Sequence, residues 1–234
     1  MNIRDLKDKH KGTMGFVVGS GPSVRHIDPG ALRNHTVLSV NSSIKKFKDC
    51  DYYVCDDWDV MNWDYFDLAR GLDCTKLLYR KNFAKHESLF RSDNYVYYSH
   101  KEYAVNGVVK PSNLKLTKSE PIIGARTVAA SAIHFAYIMG CDPIVLIGSD
   151  CRYEDGKRYF WEFPGETMCY RKDGKKYNLP TNAEQKDVHC VSFTEYWEYF
   201  TAVNPDNNII LIKDTSTLDM FKELTLEEIL DGKK

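Results

Sequence analysis

Met14-Gly-Phe-Val-Val-Gly-Ser-Gly-Pro-Ser-Val24 decides how this chain is read, because an apolar run breaks off abruptly into Gly19-Ser20-Gly21-Pro22-Ser23. Such a run is a buried strand. The glycines turn the chain because they tolerate positive φ, and Pro22 suits the first position of a helix. A strand, turn and helix start in that order leave backbone N–H groups pointing outward, where an anion gains about 0.3–1 kcal/mol when exposed. Phosphate is the natural guest. Val24 stands where a dinucleotide fingerprint needs its third glycine, which speaks against a dehydrogenase. A tight turn without any ligand accounts for the two glycines equally well.

Further apolar, β-rich runs follow at Thr36–Val40, Tyr52–Cys55, Lys76–Tyr79, Tyr95–Tyr98, Ile144–Ile147 and Ile209–Ile212, most of them separated by helix-length segments. That alternation predicts an α/β fold with a doubly wound, mainly parallel sheet of the Rossmann-like kind. Ligands in such sheets bind beyond the carboxyl ends of the strands, where the strand order reverses. The polar clusters that follow the runs are therefore the candidates: Gly19–Ser23, Asn41-Ser42-Ser43, Asp56-Asp57-Trp58-Asp59 and Gly148-Ser149-Asp150. Thr127–Met139 carries apolar residues at helical spacing, with Thr127 as cap and Gly140 as stop. Gly124-Ala125-Arg126 leads into it, so this helix start also faces an anion, with the Arg126 guanidinium beside it. Lys11, Lys45, Lys46 and Lys48 read as a solvated basic face.

The length of 234 residues suits one well-buried domain spanning 1–234. Two irregular pieces interrupt it: 80–120, and a polar, aromatic segment at 151–188 that reads as a lid, since structureless loops beyond about 12–15 residues are usually active-site lids or disordered inserts. Lys plus Arg number 32 against 33 Asp plus Glu, a net charge of −1, so no global field draws the chain to nucleic acid or an anionic membrane. No apolar stretch reaches the roughly 18 residues that span a bilayer, and Met1–Lys9 lacks the apolar segment of a signal peptide, which predicts a cytoplasmic protein. The seven cysteines are odd in number and form no Cys-x-x-Cys pair, against a disulfide framework or zinc site. Aromatic residues make up 13%, with 15 tyrosines available to pack a core or to hydrogen-bond a ligand.

Val17-Val-Gly-Ser-Gly-Pro-Ser-Val-Arg-His-Ile-Asp28, Val40-Asn-Ser42, and Thr127 through its helix into Gly140-Cys-Asp-Pro-Ile-Val-Leu-Ile-Gly-Ser-Asp150 together resemble two related Rossmann-like families. These are the bacterial lipooligosaccharide sialyltransferases and the archaeal 6-hydroxymethylpterin pyrophosphokinases, and the likeness covers most of the chain. The sialyltransferase resemblance extends to Tyr153-Glu-Asp-Gly-Lys-Arg-Tyr159, similar to the segment whose paired tyrosines hold the phosphate of a cytidine-monophosphate donor. It implies that His189 is the catalytic histidine, that Asn41 contacts the donor sugar, and that Gly19, Ser20, Gly21, Pro22, Ser23 and Thr127 line the nucleotide pocket. Ser20 departs from the family's Asn, and the acidic Leu224–Asp231 departs from its basic, membrane-seeking C-terminus. Asp51-Tyr-Tyr-Val-Cys-Asp-Asp57 is instead similar to the pyrophosphokinase side, which implies Mg²⁺ held with a triphosphate by Asp57 and Asp150.

Each candidate has a chemical reason and a plainer alternative. A neutral histidine accepts a proton at physiological pH, which suits His189 as the base for an acceptor hydroxyl; a helix-start histidine with no ligand is the alternative. Tyr153 and Tyr159 either donate to a leaving phosphate or pack the lid onto the body. Arg126 pairs with phosphate or carboxylate, or is simply exposed. Asp57 or Asp59 caps the helix predicted over Trp63–Ala69 unless the aspartates converge and call for a cation. The expectation is a transferase using a nucleotide donor, foremost a metal-independent glycosyltransferase with a CMP-sugar as substrate and no resident cofactor. A Mg²⁺-dependent pyrophosphokinase and a non-catalytic nucleotide-binding module are the competitors. The acceptor (glycan, lipid sugar, modified nucleobase or small alcohol) and homo-oligomerisation stay open.

Overall fold

A computed structural model of the chain describes residues 2–83, 94–102, 104–105, 108–123, 127–174 and 192–232. Eight strands form one sheet: β1 (Gly15–Val18), β2 (Thr36–Val40), β3 (Tyr52–Cys55), β4 (Thr75–Tyr79), β5 (Tyr95–Tyr98), β6 (Ile144–Ile147), β7 (Ile209–Ile212) and β8 (Lys222–Leu224). Their spatial order is β8-β7-β6-β1-β2-β3-β4-β5, and every neighbouring pair is parallel. The chain builds outward from β1 to β5, returns to lay β6 against the other side of β1, and continues to β8. This is an α/β doubly wound fold, and its order reverses between β1 and β6.

The strands at the centre are apolar without alternation because both faces of the sheet are covered. One face carries Val17, Leu38, Val54, Leu77 and Leu146 under α2 (Val128–Ile138) and α3 (Phe193–Val203). The other carries Phe16, Val18, Val37, Tyr53, Leu78 and Val145 under α1 (Asp64–Gly71) and α4 (Leu226–Leu230). Each such aliphatic side chain contributes about 1.5–3 kcal/mol on burial. Nine of the eleven residues of α2 are buried, as befits a helix enclosed nearly all round. Thr127 caps it by accepting from the Ala129 amide at 3.3 Å, and Gly140 ends it at φ +82°, as the spacing predicts.

Several expectations need correcting. β1–β2 and β2–β3 are joined by short 3₁₀ turns (Pro22–His26, Pro29–Leu32, Asn41–Lys45) in place of full helices, and β8 is an eighth strand that its polar Lys222–Leu224 concealed. Asp57 caps a 3₁₀ turn, Trp58–Asn62, through the Asp59 amide at 2.9 Å, while α1 begins after Trp63 with no side-chain cap. Lys45 and Lys46 are not a solvated face: Lys45 Nζ pairs with Asp64 Oδ2 at 2.6 Å, and Lys46 Nζ with Glu166 Oε1 at 3.1 Å, both part-buried. The acidic C-terminal stretch is part of the fold, with Ile229 of α4 buried.

Candidate functional site

A cleft of about 450 Å³ opens at the carboxyl ends of β1, β2 and β6, across the point where the strand order reverses. The β1 turn supplies Gly19 to Pro22, β2 supplies Val40 to Ser42, and β6 runs into Gly148 to Tyr153. Thr127 to Ala129 bring the start of α2, and Phe193 and Trp197 bring the start of α3. Asp57, Asp59, Trp63 and Tyr65 close it from the segment after β3, and Arg158, Tyr159 and Trp161 from the segment after β6.

The glycines of the first turn are set by close packing. A Cβ on Gly19 would lie 2.6 Å from the Gly148 oxygen, and one on Gly21 would lie 2.5 Å from Asp150 Oδ1. The turn rests on the end of β6 through Gly19 N to Ile147 O at 2.7 Å and Gly21 N to Gly148 O at 2.9 Å. Ser23 donates its amide to Asp150 Oδ2 at 2.7 Å and its hydroxyl to Asp150 Oδ1 at 2.6 Å. Asp150 is only 3% exposed, and burial pushes its carboxyl above the usual range while the Ser23 bonds pull the other way. Of the turn's amides, that of Ser20 makes no hydrogen bond among the described residues. The Ser20 hydroxyl accepts from Ser42 Oγ at 2.9 Å. Asn41, at the end of β2, sits in the left-handed region at φ +52°, and its buried Oδ1 accepts no hydrogen bond among the described residues.

The described part of the predicted lid, 151–174, is a strap tied to the body. Phe160 N–H donates to Ser20 O at 3.1 Å, and the Trp161 indole to Ser42 Oγ at 3.0 Å. Tyr159 stacks on Trp161 with centroids 5.3 Å apart, and Trp161 tilts against Trp63 at 5.9 Å. Arg158 lies 5.8 Å from the Tyr153 ring and 5.5 Å from the Tyr159 ring, and its Nη2 is 3.4 Å from the Tyr153 hydroxyl. Burial opposes the Arg158 charge, but the two tyrosine hydroxyls outweigh it and raise the guanidinium above its ordinary value. A cation and two hydroxyls thus share one wall of the cleft.

The acidic residues do not form a cation cage. Asp59 is held by Arg171, with Nη2 to Oδ1 at 3.1 Å, and that guanidinium keeps its carboxyl below the ordinary range. Both oxygens of Asp150 are taken by Ser23. Asp57 is exposed in the cleft, with Oδ1 engaged in its own turn. Among the described residues no three His, Cys, Asp or Glu side chains are grouped to hold a metal ion.

The structure therefore brings Gly19, Ser20, Gly21, Pro22, Asn41, Thr127, Tyr153 and Tyr159 into one cleft, with Asp57 and Asp150 at its edge. Ser23 stands just behind the turn, bound to Asp150. His189 and Arg126 lie outside the described residues. Sequence reasoning passed over Arg158, Trp63 and Trp161. Arg158 was legible inside the Tyr153–Tyr159 motif, whereas the tryptophans needed the fold to bring them together.

The family model of 6-hydroxymethylpterin diphosphokinase MptE-like proteins matches residues 1–156, which include the Gly19–Pro22 turn, Asn41, Ser42 and Asp57 of the cleft. The chain belongs to this family. At the level of reaction class it is a transferase family. A solved structure, the MAf glycosyltransferase from Magnetospirillum magneticum AMB-1, matches 92% of this chain with a TM-score of 0.55 and 12% identity. The chain spans 34% of that protein's length, and the likeness is one of fold. A search of curated proteins returned no match. Among the described residues no helix is long and apolar enough to cross a membrane.

Proposed function

We propose that this chain is a nucleotide-donor-dependent transferase, and more narrowly a glycosyltransferase that takes a CMP-sugar and works without a metal ion. The observation that carries this reading is the group of Arg158, Tyr153 and Tyr159 standing in the same cleft as the Gly19–Gly21 turn. A guanidinium and two phenolic hydroxyls take up the negative charge of a leaving phosphate by charge-assisted hydrogen bonds, the task a divalent cation would otherwise perform. Asn41 offers a buried amide oxygen to the donor sugar, and Thr127 lines the same cleft at the start of α2. Arg126, the preceding residue in the sequence, is the proposed guanidinium partner for the donor. His189, four residues ahead of Phe193 in the cleft wall, accepts the proton of the acceptor hydroxyl. The acceptor oxygen then bonds to the anomeric carbon, the bond from that carbon to the phosphate oxygen breaks, and CMP departs with the electron pair. A base of this kind contributes about 10²–10⁴-fold.

A metal-free thermal shift tests the reading: CMP at 100 times its Kd should add about 2.7 kcal/mol of stability and raise Tm by several degrees. His189→Ala should abolish donor turnover and keep that shift; retained turnover would remove His189 as the base. Family membership favours a second reading, a pyrophosphokinase using ATP and Mg²⁺, with Asp57 as the carboxylate left to meet the metal. A shift seen only with ATP and Mg²⁺ selects it. No shift with any nucleotide leaves a non-catalytic module.

A further inference from the structure

Asp150 is a buried carboxylate in a crevice otherwise suited to anions, and its two oxygens occupy the amide and hydroxyl of Ser23, where the sequence offers a phosphate its first seat. Its backbone oxygen in turn accepts from the Thr217 amide at 3.0 Å, which ties it to the segment after β7. Gly21 can have no side chain because Asp150 stands 2.5 Å from where its Cβ would be. We propose that Asp150 is a positioning residue for donor binding. By holding Ser23 with both oxygens it fixes the Gly19–Ser23 turn on the end of β6, with Ser20 lining the cleft. The donor phosphate is consequently met by the Ser20 amide and the Arg158, Tyr153 and Tyr159 group, and Ser23 never touches it.

Given the nucleotide-binding role proposed above, on which this inference rests, Asp150 has a task that is neither metal ligation nor proton transfer. Burial of the carboxyl works against its charge, and the two bonds from Ser23 act in its favour. Asparagine, with the same shape, keeps one acceptor and one hydrogen-bonding group for Ser23; alanine keeps neither.

Metal-free titration of CMP into wild type, Asp150→Asn, Asp150→Ala, Ser23→Ala and the double variant Asp150→Ala/Ser23→Ala tests the proposal. Loss of both contacts that hold Ser23 predicts that Asp150→Ala weakens CMP by about tenfold or more. Asp150→Asn should stay within about threefold of wild type, since the shape and an acceptor survive. The double variant should bind no more weakly than Asp150→Ala, because Asp150 acts through Ser23. Equal affinity of Asp150→Ala and wild type, or additive losses in the double variant, would overturn the proposal. So would an Asp150→Asn as damaged as Asp150→Ala, because the charge itself and not the hold on Ser23 would then carry the effect. If Asp150→Ala does not fold, Ser23→Ala decides: it must weaken CMP while Asp150→Asn binds, and unchanged affinity in Ser23→Ala refutes the claim. A wild type that binds neither CMP nor ATP with Mg²⁺ sinks the functional reading itself, a result distinct from wild-type-like binding by the variants.

Discussion

At the β1–β6 crevice polar groups look into open space, whereas at the ends of β3 and β5, on the far side of β2, polar groups look at one another. There Asp56 accepts from the Tyr98 hydroxyl with one oxygen and from Ser131 Oγ at 2.9 Å with the other, and His100 Nε2 lies 3.3 Å from the same carboxylate. Tyr79 stacks on His100 with centroids 4.0 Å apart. One helical turn along α2, buried His134 accepts the Ile123 amide on Nδ1 at 2.9 Å, with Nε2 2.8 Å from Thr117 O. Serine, histidine and aspartate at one strand edge resemble catalytic equipment by composition. Their mutual satisfaction makes them a brace that ties α2 to the outer strands. A polar cluster at a strand end is a site only where its groups are left facing a cavity, as in the cleft.

The strongest test of that contrast is Asp56→Ala, which leaves the buried Tyr98 and Ser131 hydroxyls without their acceptor. We expect a loss of about 3 kcal/mol, read by calorimetry as a Tm about 6–12 °C lower, with CMP affinity hardly altered in the folded protein. Lost CMP binding at unchanged Tm would instead make this cluster part of the site.

His134 gives a pH signature on the same side. Burial lowers its pKa to about 4, below the ordinary 6.5, so the unfolded chain binds a proton that the folded one refuses. Stability is present above 6.5 and is lost as pH falls toward 4, by about 3 kcal/mol over that window. Melting curves from pH 7 to pH 4 should show it, and His134→Gln should flatten that part of the slope.

On the cleft side the effects fall on binding. Arg158→Ala should weaken CMP by about 1.5–3 kcal/mol, roughly 10- to 100-fold, with only a small change in the unliganded Tm. Tyr153→Phe, which removes one hydroxyl from an exposed residue, should cost about 0.5–1.5 kcal/mol of binding. A Tm loss without a binding loss in either variant would place these residues with the brace and erase the distinction.

Seven of the eight strands and the helix over Val128–Ile138 were legible along the chain because burial on both faces forces continuous apolar runs and because Thr127 and Gly140 mark the helix ends in their own chemistry. The location of the cleft followed from the same pattern, since a doubly wound sheet opens where its order reverses. Residue types alone left Asp56, Asp57, Asp59 and Asp150 alike, four carboxylates just beyond strands. Only tertiary contacts separated them: Asp56 into a brace, Asp57 into the cleft, Asp59 onto Arg171, and Asp150 behind Ser23. Periodicity is a local property and survives in one dimension. What a carboxylate does depends on which donors reach it, and here those donors come from residues as many as 127 positions away.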